Sequence, residues 1–268
     1  MRLLVILLVF LAVPQWAAAD FILRMSGTYL GPNDISPNVG LTCSSDRFDG
    51  TNEFFNDLPN LFNLNRLAGG TFTAAFRVPT SVVPNPGSDA TQASYTFDPG
   101  TLGVTFTLFD ASGAVVHTGA SGPGTNGFGL VRDNFGSLLD EVLFVTNSFD
   151  MGTTVTGLRT PPLLGGETDL YGGAGVEFAS NDLTTLSGLA IPTDVDTYRR
   201  FKGGLFVASA GIDTFSPDQN QYAEVLSGVS YRITDVALSS VPEPSSAILV
   251  LTGGLAVLVF TRRRTAGR

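Results

Sequence analysis

Between residues 20 and 240 the chain has no long helical period; apolar and polar residues alternate instead in short runs. Thr71 to Val78 places Phe72, Ala74, Phe76 and Val78 on one face and Thr71, Thr73 and Arg77 on the other. Val104 to Phe109 sets Val104, Phe106 and Leu108 against Thr105 and Thr107, and Val229 to Thr234 sets Val229, Tyr231 and Ile233 against Ser230, Arg232 and Thr234. A period of two with one apolar face is the pattern of a half-buried strand. Asp110-Ala111-Ser112-Gly113 reads as a hairpin turn between Val104–Phe109 and Ala114–Thr118. Further strands are expected at Leu23–Leu30, Ala93–Phe97, Glu141–Asn147, Gly175–Ala179 and Gly204–Ala208. Gly/Pro clusters separate them: Pro84-Asn85-Pro86-Gly87, Gly119 to Gly129, and Pro161-Pro162 through Gly165-Gly166. The stretches 119–129 and 159–175 read as long loops, and Asn52 to Leu67 has room for a helical turn or two, limited by Pro59. Many short strands with such turns predict an all-β fold, a β-sandwich of the jelly-roll kind. Two smaller β units divided near Pro161-Pro162 are the second choice.

The two ends differ from this interior. Met1-Arg2 precedes a continuous apolar run from Leu3 to Val13, which Pro14-Gln15-Trp16 breaks before Ala17-Ala18-Ala19. A basic start, a short apolar run and an Ala-x-Ala exit make a secretory signal peptide. Cleavage by signal peptidase, directed by Ala17 and Ala19, is expected to leave Asp20 as the mature N-terminus. The other end reads Val241-Pro242-Glu243-Pro244, then an apolar stretch within Ser245 to Thr261, then Arg262-Arg263-Arg264. As a helix, residues 245–261 span ~25 Å at ~1.5 Å per residue, slightly short of a ~30 Å hydrocarbon core. The arginines flank this single transmembrane helix and hold the C-terminus on the cytoplasmic side. Three parts follow: signal peptide 1–19, β-rich passenger 20–240, and C-terminal signal 241–268 with a basic tail from 262.

The order of Val241-Pro242-Glu243-Pro244, the apolar stretch with Gly253-Gly254, and Arg262-Arg263-Arg264 resembles the PEP-CTERM sorting signal. That resemblance implies a Gram-negative bacterium, often one making exopolysaccharide. It also implies processing by exosortase, a membrane-embedded cysteine transpeptidase-like enzyme. The chain would be anchored transiently in the inner membrane and then reach the cell surface or the extracellular matrix. Pro242 and Pro244 keep the motif extended and free of helix, and Glu243 offers one fixed charge to a basic subsite.

The passenger carries no set of residues that identifies a reaction, and it is expected not to be an enzyme. From Asp20 to Ser240 there are 10 basic and 23 acidic residues, so a phosphate backbone is repelled and nucleic acid is excluded as a partner. Cys43 is the sole cysteine, so no internal disulfide forms. His117, the sole histidine, is expected half-exposed on a strand, and no Gly-x-Ser-x-Gly elbow accompanies it. Asp194 with Asp196, and Asp213 with Asp218, are loose oxygen clusters and the weak calcium candidates; no other cofactor is implied. The lead expectation is a structural or interaction protein. The alternatives are an exopolysaccharide-binding module and a secreted hydrolase using a carboxylate pair. The one Trp, Trp16, leaves with the signal peptide, so Tyr198 beside Arg199-Arg200 is the aromatic to test for sugar stacking.

Overall fold

The structure, a computed structural model, describes residues 20–31, 46–47, 61–147, 153–158, 168–201, 203–215 and 222–241. Ala17, Ala19, Cys43, Asp218, Pro242, Glu243, Pro244 and Arg262–Arg264 lie outside the described residues, as do the signal peptide and the expected span 245–261. Among the described residues no helix is long and apolar enough to cross a membrane.

In chain order the elements are β1 (Phe21–Gly31), β2 (Asp46–Arg47), α1 (Leu64–Leu67), β3 (Thr71–Val78), β4 (Gln92–Phe97), β5 (Gly103–Phe109) and β6 (Val115–Ser121). They continue as β7 (Asn126–Phe135), β8 (Leu139–Asn147), β9 (Thr153–Thr156), β10 (Thr168–Ser180), α2 (Val195–Arg200), β11 (Gly203–Phe215) and β12 (Tyr222–Ser240). The expected all-β class is observed. The strands do not divide into the two separate sheets of the expected sandwich. They form one sheet in the order β4-β7-β8-β10-β11-β12-β1-β3-β5-β6-β9, with β2 added on β12. The described pairings are all antiparallel.

β12 is what makes the sheet continuous. Its first part pairs with β11 through Tyr222 to Arg232, and its last part pairs with β1 through Ser230 to Ser240. The chain then repeatedly leaves one arm for the other. β3, β5, β6 and β9 lie on one arm and β4, β7, β8 and β10 on the other. Such crossings stay short only if the arms approach each other, and the core shows that they do. Along the sheet β11 and β5 are four strands apart, ~19 Å if the sheet were flat at ~4.8 Å per strand. Yet the rings of Phe206 on β11 and Phe106 on β5 have centroids 5.6 Å apart. Phe206 also stacks on Phe72 at 4.6 Å with planes 5° apart, and meets Phe76 edge-on at 6.5 Å. The sheet therefore curls around a single apolar core to which both arms contribute. At its far limit β9 comes alongside β10.

Two expectations about loops are corrected. Most of the stretch 119–129 is strand: β6 runs to Ser121 and β7 begins at Asn126. The stretch 159–175 likewise ends inside β10. In β7 the alternate residues Gly127, Gly129 and Val131 face inward, where a Cβ at Gly127 would come within 2.6 Å of Leu102. Glycine is required there for close packing, not for a turn. Of the helical turns expected within Asn52 to Leu67, α1 is the part that falls among the described residues.

Candidate functional site: the paired ends of the passenger

Residues Phe21 and Ser240 stand opposite each other at the end of the β1–β12 ribbon. One step further, the Val241 N–H donates to the Asp20 carbonyl at 2.8 Å. β3 closes the other side of β1, with Arg77 opposite Ile22. The Arg77 guanidinium donates to Asp20 Oδ2 through Nε at 3.0 Å and Nη2 at 2.6 Å. The arginine side chain is 55 % exposed, so this ion pair contributes little stability, about 1 kcal/mol or less. Its effect is positional. Asp20, the expected mature N-terminus, and Val241, the first residue of the expected motif, are hydrogen-bonded neighbours. The regular sheet stops where the motif starts.

Residues 240–264 match the family model described as the PEP-CTERM protein-sorting motif. The motif marks the chain as an exported protein sorted by an exosortase. No curated protein and no solved structure matches the chain. The PEP-CTERM motif thus accounts for the C-terminal end, and the passenger has to be read from its own geometry.

The passenger's one histidine does not have the half-exposed setting expected for it. His117 on β6 is 1 % exposed. Its Nε2 faces the Phe62 carbonyl at 2.7 Å and its Nδ1 faces the Thr156 carbonyl at 3.0 Å. With both ring nitrogens turned to the backbone, no edge remains to act on a substrate. The ring instead ties the segment before α1 and β9 to β6. Tyr198, the tyrosine singled out for sugar stacking, is also buried at 1 % exposure. It packs edge-on to Phe178 at 5.1 Å and donates its hydroxyl to the Pro192 carbonyl at 2.9 Å. Its position on the inner side of a six-residue helix removes it from any sugar.

Of the calcium candidates, Asp194 caps α2. Its Oδ1 accepts from the Thr197 N–H and its Oδ2 from the Thr197 hydroxyl, both at 2.7 Å. Those bonds, the hydroxyl's foremost, hold its carboxyl below the usual range. Asp196 is exposed and pairs with Arg199 at 3.6 Å. Asp213 falls within β11. Among the described residues no three His, Cys, Asp or Glu side chains gather as a metal site.

A feature that the sequence did not single out lies on the outward side of the other arm. Glu141 on β8 and Glu177 on β10 are 1 % and 4 % exposed. Glu141 stands opposite Ala179, two residues from Glu177 on the same face, so the carboxylates are diagonal neighbours. Arg132 on β7 donates to Glu141 Oε2 at 2.7 Å and to Gln92 Oε1 at 2.9 Å, and lies 4.6 Å over the Phe135 ring. Arg132 makes no hydrogen bond to Glu177, whose Oε2 has no hydrogen-bond partner among the described residues. Burial, and then the neighbouring Glu141, push the Glu177 carboxyl up to about 7. Burial also raises Glu141, opposed by Arg132. The environments differ as an acid–base pair requires, but neither carboxyl presents surface to a sugar.

Proposed function

We propose that the folded domain is an extracellular structural or interaction module that stands on the membrane by its β1–β12 end until an exosortase releases it. The observation that carries this reading is the Val241 to Asp20 hydrogen bond at 2.8 Å, made at the start of the sorting motif matched over residues 240–264. A signal peptide enters the membrane ahead of Asp20, and the apolar segment re-enters it behind Pro244. Both must reach the same membrane surface. A domain whose ends lay at opposite poles would need a linker to do so; here none is required. The C-terminus is then cytoplasmic, by the three arginines, and the passenger lies outside.

The module is proposed to act without catalysis and without a cofactor. The bonds already made by Asp194, and the burial of His117, Glu141 and Glu177, support this. Millimolar calcium is therefore expected to leave the melting temperature unchanged. A rise on adding calcium, reversed by chelator, would restore a metal to the account.

Processing is tested by mass spectrometry of the protein recovered from native-host fractions. Wild-type chains are expected to begin at Asp20, to end within the Val241–Pro244 motif, and to be found outside the inner membrane. The Glu243→Ala chain is expected to keep its C-terminus through Arg268 and to stay in the membrane fraction. Normal processing of that variant would remove Glu243 from the recognition step. A second reading, an exopolysaccharide-binding module, is favoured by one observation: an open groove on the outward side of the β12-β1-β3-β5 arm.

A further inference from the structure

The groove has a volume of about 470 Å³ and crosses four strands. Most of its lining comes from outward-facing positions, which the register aligns in transverse rows, with Met25, Ala74 and Phe106 of the inward face contributing between them. In one row Asp235 on β12 stands opposite Ser26 on β1, Ser26 opposite Thr73 on β3, and Thr73 opposite Thr107 on β5. The next row runs Ala237, Arg24, Ala75 and Thr105. Thr107 is followed by Thr118 on β6 and Thr156 on β9. There the two hydroxyls bond to each other at 2.7 Å, so that end of the row is already satisfied. Thr73, Thr105 and Thr107 make no side-chain hydrogen bond with another described residue, and Thr73 and Thr105 are exposed.

We propose that this groove binds a strand of neutral polysaccharide, held by hydrogen bonds from the in-register hydroxyls of Ser26, Thr73 and Thr107 and from Thr105 in the next row. This deepens the second reading above and rests on it. Hydroxyls that both donate and accept match a polyol, whose groups also do both. Their spacing of ~4.8 Å from strand to strand is close to the repeat of an extended pyranose chain, so successive sugars meet equivalent groups. The charges select the class. Arg24 and Asp235 supply one of each sign, leaving the groove neutral, while the rest of the passenger carries an acidic excess that repels polyanions. Small side chains at Ala75 and Ala237 keep the floor low enough for a chain to lie across it. No aromatic side chain faces outward in either row from β12 to β5, so the sugar is held edge-on, without stacking.

The test uses the full chain in mild detergent, run on native gels containing laminarin, hydroxyethylcellulose or dextran, with alginate as the acidic control. At least one neutral polymer is expected to retard the wild type. The Thr73→Val/Thr107→Val chain keeps the shape and strand preference of the site but loses two hydroxyls. Its affinity is expected to fall about thirtyfold, as two hydrogen bonds of ~1 kcal/mol each imply. Its melting temperature should match the wild type; if it does not, Thr105→Val is the variant compared. Wild-type chain unretarded by all three neutral polymers, retarded by alginate alone, or retained equally as the valine variant would overturn the proposal. Export and processing are scored separately in the host, so a failure there leaves the gel result standing.

Discussion

Phe206→Ala is expected to destabilise the domain by about 3–5 kcal/mol, lowering the melting temperature by roughly 10 °C. Phe206 is fully buried and touches Phe72, Phe76, Phe106 and Tyr231, residues from three strands. β3 and β5 belong to the opposite arm of the curled sheet. Removing the ring takes away its own transfer free energy and leaves a cavity between the arms, which β-ladders on either side keep from collapsing. Phe128→Ala is the control. Phe128 lies on the outward face of β7 and is 38 % exposed, so its loss is expected to cost about 1 kcal/mol or less. The measurement is a pair of thermal or denaturant melts followed by circular dichroism. Equal, small losses in the two variants would mean that Phe206 does not join the arms.

The same ring shows where a reading of the sequence stops. The inward faces of β3 and β5 are legible from alternation alone, and their limits are found to within a residue: Thr71–Val78 in both readings, Val104–Phe109 against Gly103–Phe109. Alternation says which side is buried but not what it is buried against. That Phe106 meets Phe206 depends on β12 serving both β11 and β1, a pairing between residues far apart in sequence. For that reason one curled sheet reads as a sandwich. β7 is hidden by its own packing, because Gly127 faces Leu102 too closely for a Cβ and Gly129 packs tightly on Phe97, so both glycines look like turn residues. His117 and Tyr198 misled for a related reason. Polar atoms suggest exposure, but here each finds a backbone carbonyl in the interior. The sorting motif was legible because its elements come in order within one short segment, needing no long-range information. The groove lay between these cases: the outward threonines of β3 and β5 show in the alternation, while their alignment into rows does not.

Glu177→Gln is expected to stabilise the domain at alkaline pH and to change little at acid pH. The folded-state carboxyl titrates at about 7 against an ordinary 4.5, so the folded chain binds this proton more tightly than the unfolded chain. Below pH 4.5 the group is protonated in both states and carries no penalty. As pH rises from there to 7 the unfolded chain ionises first, and stability is lost; above 7 the loss is complete. A shift of this size corresponds to about 3 kcal/mol. Glutamine keeps the shape and removes the charge, though its buried amide gives back part of the gain. A net gain of roughly 2 kcal/mol at pH 8 is expected, a melting temperature several degrees higher. Melts across pH 4 to 9 check it: the wild type should lose stability between pH 4.5 and 7, and the variant should lose less. Glu141→Gln serves as the contrast. Burial raises the Glu141 carboxyl too, but Arg132 at 2.7 Å opposes the rise and would lose its charged partner, so this substitution should gain less at pH 8 than Glu177→Gln. Equal gains from the two variants at pH 8 would mean that the two carboxylates share one environment. A clearly larger gain from Glu177→Gln would identify Glu177 as the member whose charge the fold opposes more and Glu141 as the one that Arg132 supports.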